Sequence, residues 1–303
     1  MFDFQLEFNS KNCISIDLKK FGIEASNFYI YLDNYDNPKI SGNKTRKLYG
    51  SIMYCRKNQI KNILTIGGNY SNHLYAASHI PKLFDINVIA IVKGSAPKEY
   101  GYTLKSLQKN NIPIHFIDKN KLKEQKNEIL ESILNSYENV FFIEEGGSNS
   151  FAHLGYKELI IGFQNYNFEI ISTAAGTGGT AESISEYFDK DLRIYAALND
   201  YELKNKFNNI NNNHLIFDYN FGGYAKVNPS YLAFLDQFYS EFEIWLDPIY
   251  TGKMIYGIIE DYKKGLIDSN KKHIAIHSGG LQGWHGIKEQ HQNLLTNFKN
   301  NPI

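Results

Sequence analysis

Short, unbroken apolar runs recur along the chain at 28–32, 63–66, 86–92, 114–117, 140–143, 170–173, 192–198 and 273–277. They are rich in Ile and Val and show little polar alternation, the pattern of strands covered on both faces. Between them lie stretches with helical period at 44–57, 72–82, 102–110, 121–136, 152–163 and 181–188. That alternation predicts βαβ units, so the expected fold class is α/β with parallel-rich sheets and helices on both faces. The Asn-rich segment at 208–214 reads as a surface loop.

Composition narrows this picture. At 303 residues the chain suggests one large domain or two of ordinary size. Thirty-two basic residues balance 32 acidic ones, and without a basic excess a nucleic-acid partner is not expected. No apolar run approaches a membrane span, and the first residues lack a basic-then-apolar leader pattern, so no membrane partner is expected. Cys13 and Cys55 could form one bridge at most and match no metal-ligand spacing, so no metal site is expected and a cytoplasmic location is the simplest reading.

Candidate chemistry lies in the turns that follow strands, where free backbone N–H groups gather around ligands. In "TIGGNYSNH", Gly67 and Gly68 permit a tight turn, and Ser71 and Asn72 fall at a helix start, either capping it or meeting an anionic group. In "STAAGTGGTAESI", Gly176, Gly178 and Gly179 leave room for N–H groups to wrap a phosphate, with Thr177 and Thr180 as hydroxyl donors. The segment lacks a Walker ending and the GxGxxG spacing, so a lone phosphate fits better than a nucleotide. "EEGGSNSFAHLGY" is accounted for by a helix capped after Ser148 or Asn149, and Ser278 of "HSGG" places a hydroxyl at a strand's carboxyl end. His277 and His285 have no obvious acid partner and read as structural.

"SGNKTRKL" adds Lys44, Arg46 and Lys47 at one helix start, where cations oppose the helix dipole. An exposed, solvated basic turn is one reading. A nucleophilic lysine is the other, because a local rule broken without compensation points to function. A lysine with a single-phosphate cup suggests pyridoxal phosphate held as a Schiff base, and chemistry alone leaves Lys44 and Lys47 both open.

Five motifs in order, "SGNKTRKL", "GGNYSNH", "GTGGT", "DPIYTGK" and "HSGG", resemble the fold type II pyridoxal-phosphate enzymes, in particular the 1-aminocyclopropane-1-carboxylate deaminase and D-cysteine desulfhydrase family. The resemblance runs from about 29 to 280. It implies two αβα domains of the tryptophan synthase beta-like type, a large one at 1–46 and 149–303 and a small one at 47–148, in a homodimer. It selects Lys44 as the lysine bonded to pyridoxal 5'-phosphate. It places Asn72 at the ring hydroxyl, Gly176–Thr180 at the phosphate, and Ser71 at the substrate carboxylate or as a proton relay. By the same resemblance His73, where the deaminases carry Gln, joins Ser71 and Asn72 at the substrate, and Tyr250 and Tyr224 match two active-site tyrosines.

The resemblance also carries a contrast. The deaminases have Glu after the second tyrosine and an apolar residue before the last Gly-Gly, whereas this chain has Thr251 and Ser278, like the desulfhydrases. A hydroxyl beside the pyridine nitrogen makes a weaker electron sink than a carboxylate does. That suits β-elimination better than cyclopropane opening. The expected activity is therefore a lyase that converts a small amino acid such as D-cysteine to pyruvate, ammonia and sulfide. Aminocyclopropanecarboxylate deamination is the alternative, and a catalytically weak cofactor carrier or a phosphosugar-binding protein are readings from other classes. Tyr70, Leu74, Tyr75 and the "HSGGLQGW" ending depart from many relatives and leave the substrate open.

Overall fold

The computed structural model describes residues 6–24, 27–33, 42–147, 149–198, 201–207, 213–295 and 300. Ten strands are β1 (Cys13–Ser15), β2 (Phe28–Leu32), β3 (Asn62–Gly68), β4 (Asn87–Lys93), β5 (Ile114–Ile117), β6 (Val140–Ile143), β7 (Ile170–Ala175), β8 (Asp191–Ala196), β9 (Asn213–Ile216) and β10 (His273–His277) among the described residues. The helices of the first half are α1 (Asn43–Lys57), α2 (Asn72–Ala77), α3 (Ile80–Phe84), α4 (Tyr102–Lys109), α5 (Lys119–Glu124) and α6 (Lys126–Leu134). Those of the second half are α7 (Lys157–Asn165), α8 (Gly179–Ser185), α9 (Tyr201–Phe207), α10 (Pro229–Phe242), α11 (Thr251–Lys263) and α12 (Gly283–His291). No described helix is long and apolar enough to cross a membrane.

The chain forms two compact units. The described part of one spans 42–155, and the other takes residues 6–33 and those from 156 onward. The first unit holds a four-stranded sheet in the order β5-β4-β3-β6, with every pair parallel. Its continuous apolar runs are explained by cover on both faces. Ile63 of β3 and Val88, Ala90 and Val92 of β4 pack with α1, α2 and α4. Their neighbours Leu64, Ile66, Ile89 and Ile91 turn to the other face, against Leu122 of α5 and Ile133 of α6.

The second unit holds a six-stranded sheet in the order β1-β2-β10-β7-β8-β9. β1 pairs antiparallel with β2 at one edge, and the remaining pairs are parallel. Successive residues again part to opposite faces. Ile170 and Ala275 join a core with α10, α11 and α12, while Ile171, Ile274 and Ile276 join one with α7, α8 and α9.

Two elements depart from the pattern in the sequence. β9 overlaps the end of the Asn-rich segment expected as loop, because His214, Leu215 and Ile216 pair with Arg193, Ile194 and Tyr195; residues 208–212 lie outside the described residues. After Asn149 the chain makes a short 3-10 turn at Ala152–Gly155, and α7 starts only at Lys157. Close approach explains the delay: a side chain at Gly155 would collide with the Arg46 carbonyl, and Arg46 Nη1 donates to Gly155 O at 2.8 Å.

In each sheet the strand order reverses at one place, between β3 and β6 in the first and between β7 and β10 in the second. Ligands of open parallel sheets bind beyond the carboxyl ends of strands at such switch points. The turn after β3 is Asn69–Ser71; Gly67 and Gly68, expected in the turn, are instead the last two residues of the strand and pair with Val92 and Lys93. The turn after β6 is Glu144–Gly147, that after β7 is Gly176–Gly178 and that after β10 is Ser278–Gly280. The glycine turns singled out in the sequence thus all stand at switch points.

Candidate active site

In the first unit, α1 begins at Gly42, whose φ of 56° favours glycine, and no side chain caps its first turn. Lys44 sits in that turn, half-buried. The reading of this cluster as a solvated basic turn fails, because Arg46 is 0% exposed and Lys47 3%. Both cations are held by backbone carbonyls, Arg46 by Gly155 O and Lys47 by Gly146 O at 3.2 Å. The turn receiving Lys47 is itself fastened by two ion pairs, Lys93 with Glu145 at 2.6 Å and Lys126 with Glu144 at 2.8 Å. Of the three cations of the motif, Lys44 therefore differs in being half-buried rather than enclosed.

Ser71 caps α2, its Oγ accepting from Leu74 N at 3.2 Å. The cap uses a lone pair and leaves the hydroxyl proton without a partner among the described residues. Both readings of Ser71, cap and ligand donor, are thus compatible in one side chain. Gly67 is required by this packing, since a Cβ there would lie 2.6 Å from Ser71 Oγ. Asn72, half-buried, has a carboxamide with no hydrogen bond among the described residues.

His73 behaves differently. It is 1% exposed, and its Nε2 lies 2.6 Å from Thr65 Oγ1. Thr65 donates its single hydroxyl proton to Ile143 O at 3.0 Å, so His73 Nε2 must be the donor and Nδ1 carries the lone pair. Burial and the charges of Lys44 and Lys47 push its pKa down to about 3, which keeps the ring neutral. Nδ1 faces the backbone at Gly147, where a Cβ would come within 3.2 Å. The imidazole expected at the substrate is enclosed within its own unit.

In the second unit, the cup is built as its glycines require. Gly178 has φ 80°, and a side chain there would meet Leu203 Cδ1 at 2.6 Å. No side chain caps α8, so its first N–H groups are left for an anion. Thr177 is exposed, whereas Thr180 is buried beside Tyr156, whose hydroxyl donates to Thr180 Oγ1 at 3.3 Å. The Tyr250 ring leans on the cup: a Cβ at Gly176 would lie 3.1 Å from Tyr250 Cε1. Tyr224, 44% exposed, meets Tyr250 edge-on with ring centroids 6.2 Å apart. The fold therefore brings Gly176–Thr180, Tyr250 and Tyr224 together.

Thr251 and Ser278, the two hydroxyls expected near the ring nitrogen, have opposite surroundings. Thr251 is 0% exposed; its hydroxyl donates to Asp247 Oδ2 at 3.1 Å and accepts from Asp247 N at 3.2 Å. Ser278 is half-buried, and its hydroxyl makes no hydrogen bond among the described residues. Ser278 directly follows β10, the parallel neighbour of β7, so it lies at the same carboxyl edge of the sheet from which the cup at Gly176 begins.

Asp247 escaped the sequence reading, although an Asp-Pro turn ahead of a helix was a signal for a cap. It is fully buried and accepts from Ile249 N, Tyr250 N and Thr251 N at 3.0, 3.0 and 2.6 Å. Burial still raises its pKa to about 6, against the lowering effect of those donors.

No family model matches the chain. Over 281 residues it is 25% identical to a Pyrococcus horikoshii protein named "Putative 1-aminocyclopropane-1-carboxylate deaminase", covering 86% of each chain. It is 26% identical to the Arabidopsis thaliana bifunctional D-cysteine desulfhydrase/1-aminocyclopropane-1-carboxylate deaminase over 319 residues, 90% of this chain and 77% of that one. Among solved structures, an ACC deaminase homologue superposes with a TM-score of 0.80 at 24% identity over 93% of both chains. The resemblance drawn from the five motifs thus holds over most of the chain, in sequence and in fold.

Proposed function

We propose that this chain is a pyridoxal-phosphate-dependent lyase of the fold type II class, acting on a small amino acid by D-cysteine-type α,β-elimination. The observation that carries the elimination reading is the disposition of acid and hydroxyl on the Tyr250 turn. The Asp247 carboxylate is filled by three backbone N–H groups and the Thr251 hydroxyl, and the Thr251 proton is committed to it. Ser278 is left as the hydroxyl with free capacity at the carboxyl end of β10. A pyridine nitrogen held by a hydroxyl stays neutral, which suffices when a good leaving group departs.

The residues present fit the cofactor. The glycine cradle at Gly176–Gly179 has no room for a side chain at 178, packs tightly against Tyr250 at 176 and leaves the N-terminus of α8 uncapped, as a monoester phosphate needs. Thr177 and Thr180 would add hydroxyl donors, Asn72 would meet the ring hydroxyl, and Lys44 would carry the aldehyde carbon. When bound, the cofactor supplies the electron sink that makes a substrate's α-proton acidic. The chain's own groups do the rest: Lys44 takes that proton, and Ser71 offers its free hydroxyl to the substrate carboxylate. Tyr250 and Tyr224 present phenols beside the leaving group. Thr251 stiffens the Tyr250 turn, and His73 braces Thr65 from within.

Borohydride reduction of the purified protein, followed by peptide mapping, tests the cofactor: a stable adduct on Lys44 is expected, and Lys44→Ala should abolish it while Lys47→Ala keeps it. A keto-acid assay over D- and L-amino acids and aminocyclopropanecarboxylate tests the substrate. Pyruvate and sulfide from D-cysteine are expected. A four-carbon keto acid from aminocyclopropanecarboxylate, without pyruvate from D-cysteine, would replace elimination by the deaminase alternative.

A further inference from the structure

Lys253 is the third residue of α11 and is 2% exposed. It forms no ion pair among the described residues, and its ammonium donates instead to two backbone carbonyls, Asn220 O at 2.8 Å and Gly223 O at 2.6 Å. Burial pushes its pKa down to about 8, against the attraction of Asp247. An enclosed ammonium is a costly way to fill space, since an apolar side chain of similar length would pack there without desolvating a charge. Its partners show what it accomplishes.

Those carbonyls belong to a turn in an uncommon conformation. Phe221, Gly222, Gly223 and Ala225 all have positive φ, at 55°, 96°, 121° and 54°. For Phe and Ala that region is unfavourable, so the surroundings must hold it in place. Within the turn, Gly222 N donates to Asn220 Oδ1 at 2.8 Å and Gly223 N to Asn220 O at 3.0 Å. Lys253 supplies the tie to a rigid element. The residue after the turn is Tyr224, and the residue that precedes α11 is Tyr250. One ammonium therefore joins the two segments that present these rings edge-on to each other.

We propose that Lys253 is a positioning residue: it clamps the 220–223 turn onto the start of α11 and so holds Tyr224 against Tyr250 at the cup. The significance for catalysis rests on the lyase reading above; the clamp itself does not. The α11 start is in turn fixed by the Asp247 cap, so Tyr250 is set from one side and Tyr224 from the other.

Amide hydrogen exchange of full-length Lys253→Met tests the clamp without substrate or turnover. Exchange in peptides covering 220–226 is expected to rise at least about tenfold, with β7 and β10 unchanged, because charge-assisted bonds to two carbonyls are lost. Lys253→Gln, which keeps a neutral N–H donor group without the charge, should fall between, and serves alone if the Met variant does not fold. Unchanged exchange at 220–226, or a rise spread evenly over the second unit, overturns the proposal. In the lyase assay, Lys253→Met should lower kcat with the cofactor's absorbance retained, and should add nothing to the defect of Tyr224→Phe. Full additivity of those two variants overturns the link to Tyr224. Absence of turnover in the wild-type protein would fault the functional reading, while the exchange result would still decide the clamp.

Discussion

Acid should destabilise this protein through its enclosed histidines. His73, His273 and His277 are buried and neutral in the fold, with pKa values pushed down, chiefly by burial, to about 3, about 3 and about 4. Each is hydrogen-bonded as a neutral ring: His73 to Thr65, His273 to Ser172 and Tyr262, and His277 to Trp245 O and Gly279 N. An unfolded histidine titrates near ~6.5, so the folded values are depressed, and the stabilisation is complete above pH ~6.5 and lost as pH falls toward them. At pH 5 the unfolded chain has taken up these protons and the folded one has not, which costs about 2 kcal/mol for each histidine. Asp247 works in the opposite direction. Burial raises its pKa to about 6, so below that value the folded state holds an extra proton and gains about 1 kcal/mol by pH 5.

The histidines win in both units. The first carries His73 and should lose about 2 kcal/mol between pH 7 and pH 5; the second carries the other two with Asp247 and should lose about 3 kcal/mol. Against a typical stability of about 5–15 kcal/mol, such losses are large. Urea unfolding at pH 7, 6 and 5 reads them out, with tryptophan fluorescence reporting the second unit, which holds Trp245 and Trp284, and far-UV circular dichroism reporting both. His273→Gln should remove about two-thirds of the second unit's loss, leaving about 1 kcal/mol between pH 7 and pH 5. A loss below about 1 kcal/mol over this pH range, or an unaltered slope in His273→Gln, would refute the reasoning.

Two substitutions test the site's framework. Gly178→Ala forces a side chain into φ 80° and against Leu203, costing about 2–4 kcal/mol; cofactor affinity, read by absorbance titration, should weaken by at least about tenfold. Thr65→Val leaves His73 Nε2–H and Ile143 O without their shared partner and should cost about 2 kcal/mol or more in urea unfolding, with Thr65→Ser recovering most of it.

Much of the fold was legible because each strand of the central sheets is covered on both faces. The runs at 28–32, 114–117, 140–143 and 273–277 match β2, β5, β6 and β10 residue for residue. β1 and β9 were missed for a physical reason: three- and four-residue edge strands owe their conformation to pairing with β2 and β8, not to an apolar pattern of their own. The glycine turns were legible too, since tight turns after buried strands leave few other residues possible.

Side-chain environments were not legible. Local spacing could not tell Lys44 from Lys47, because the carbonyl that takes the Lys47 ammonium comes from Gly146, far along the chain. Nor could it tell Thr251 from Ser278: the commitment of the Thr251 proton depends on how Asp247 folds back over the start of α11. The sequence by itself determined the α/β class, the order of the motifs and the turns where ligands gather, because these follow from local periodicity and backbone sterics. Tertiary structure alone decided which cations are enclosed, which hydroxyls keep a free proton and which tautomer His73 adopts. Those properties depend on carbonyls and carboxylates brought from distant segments, and no local pattern encodes which partner arrives.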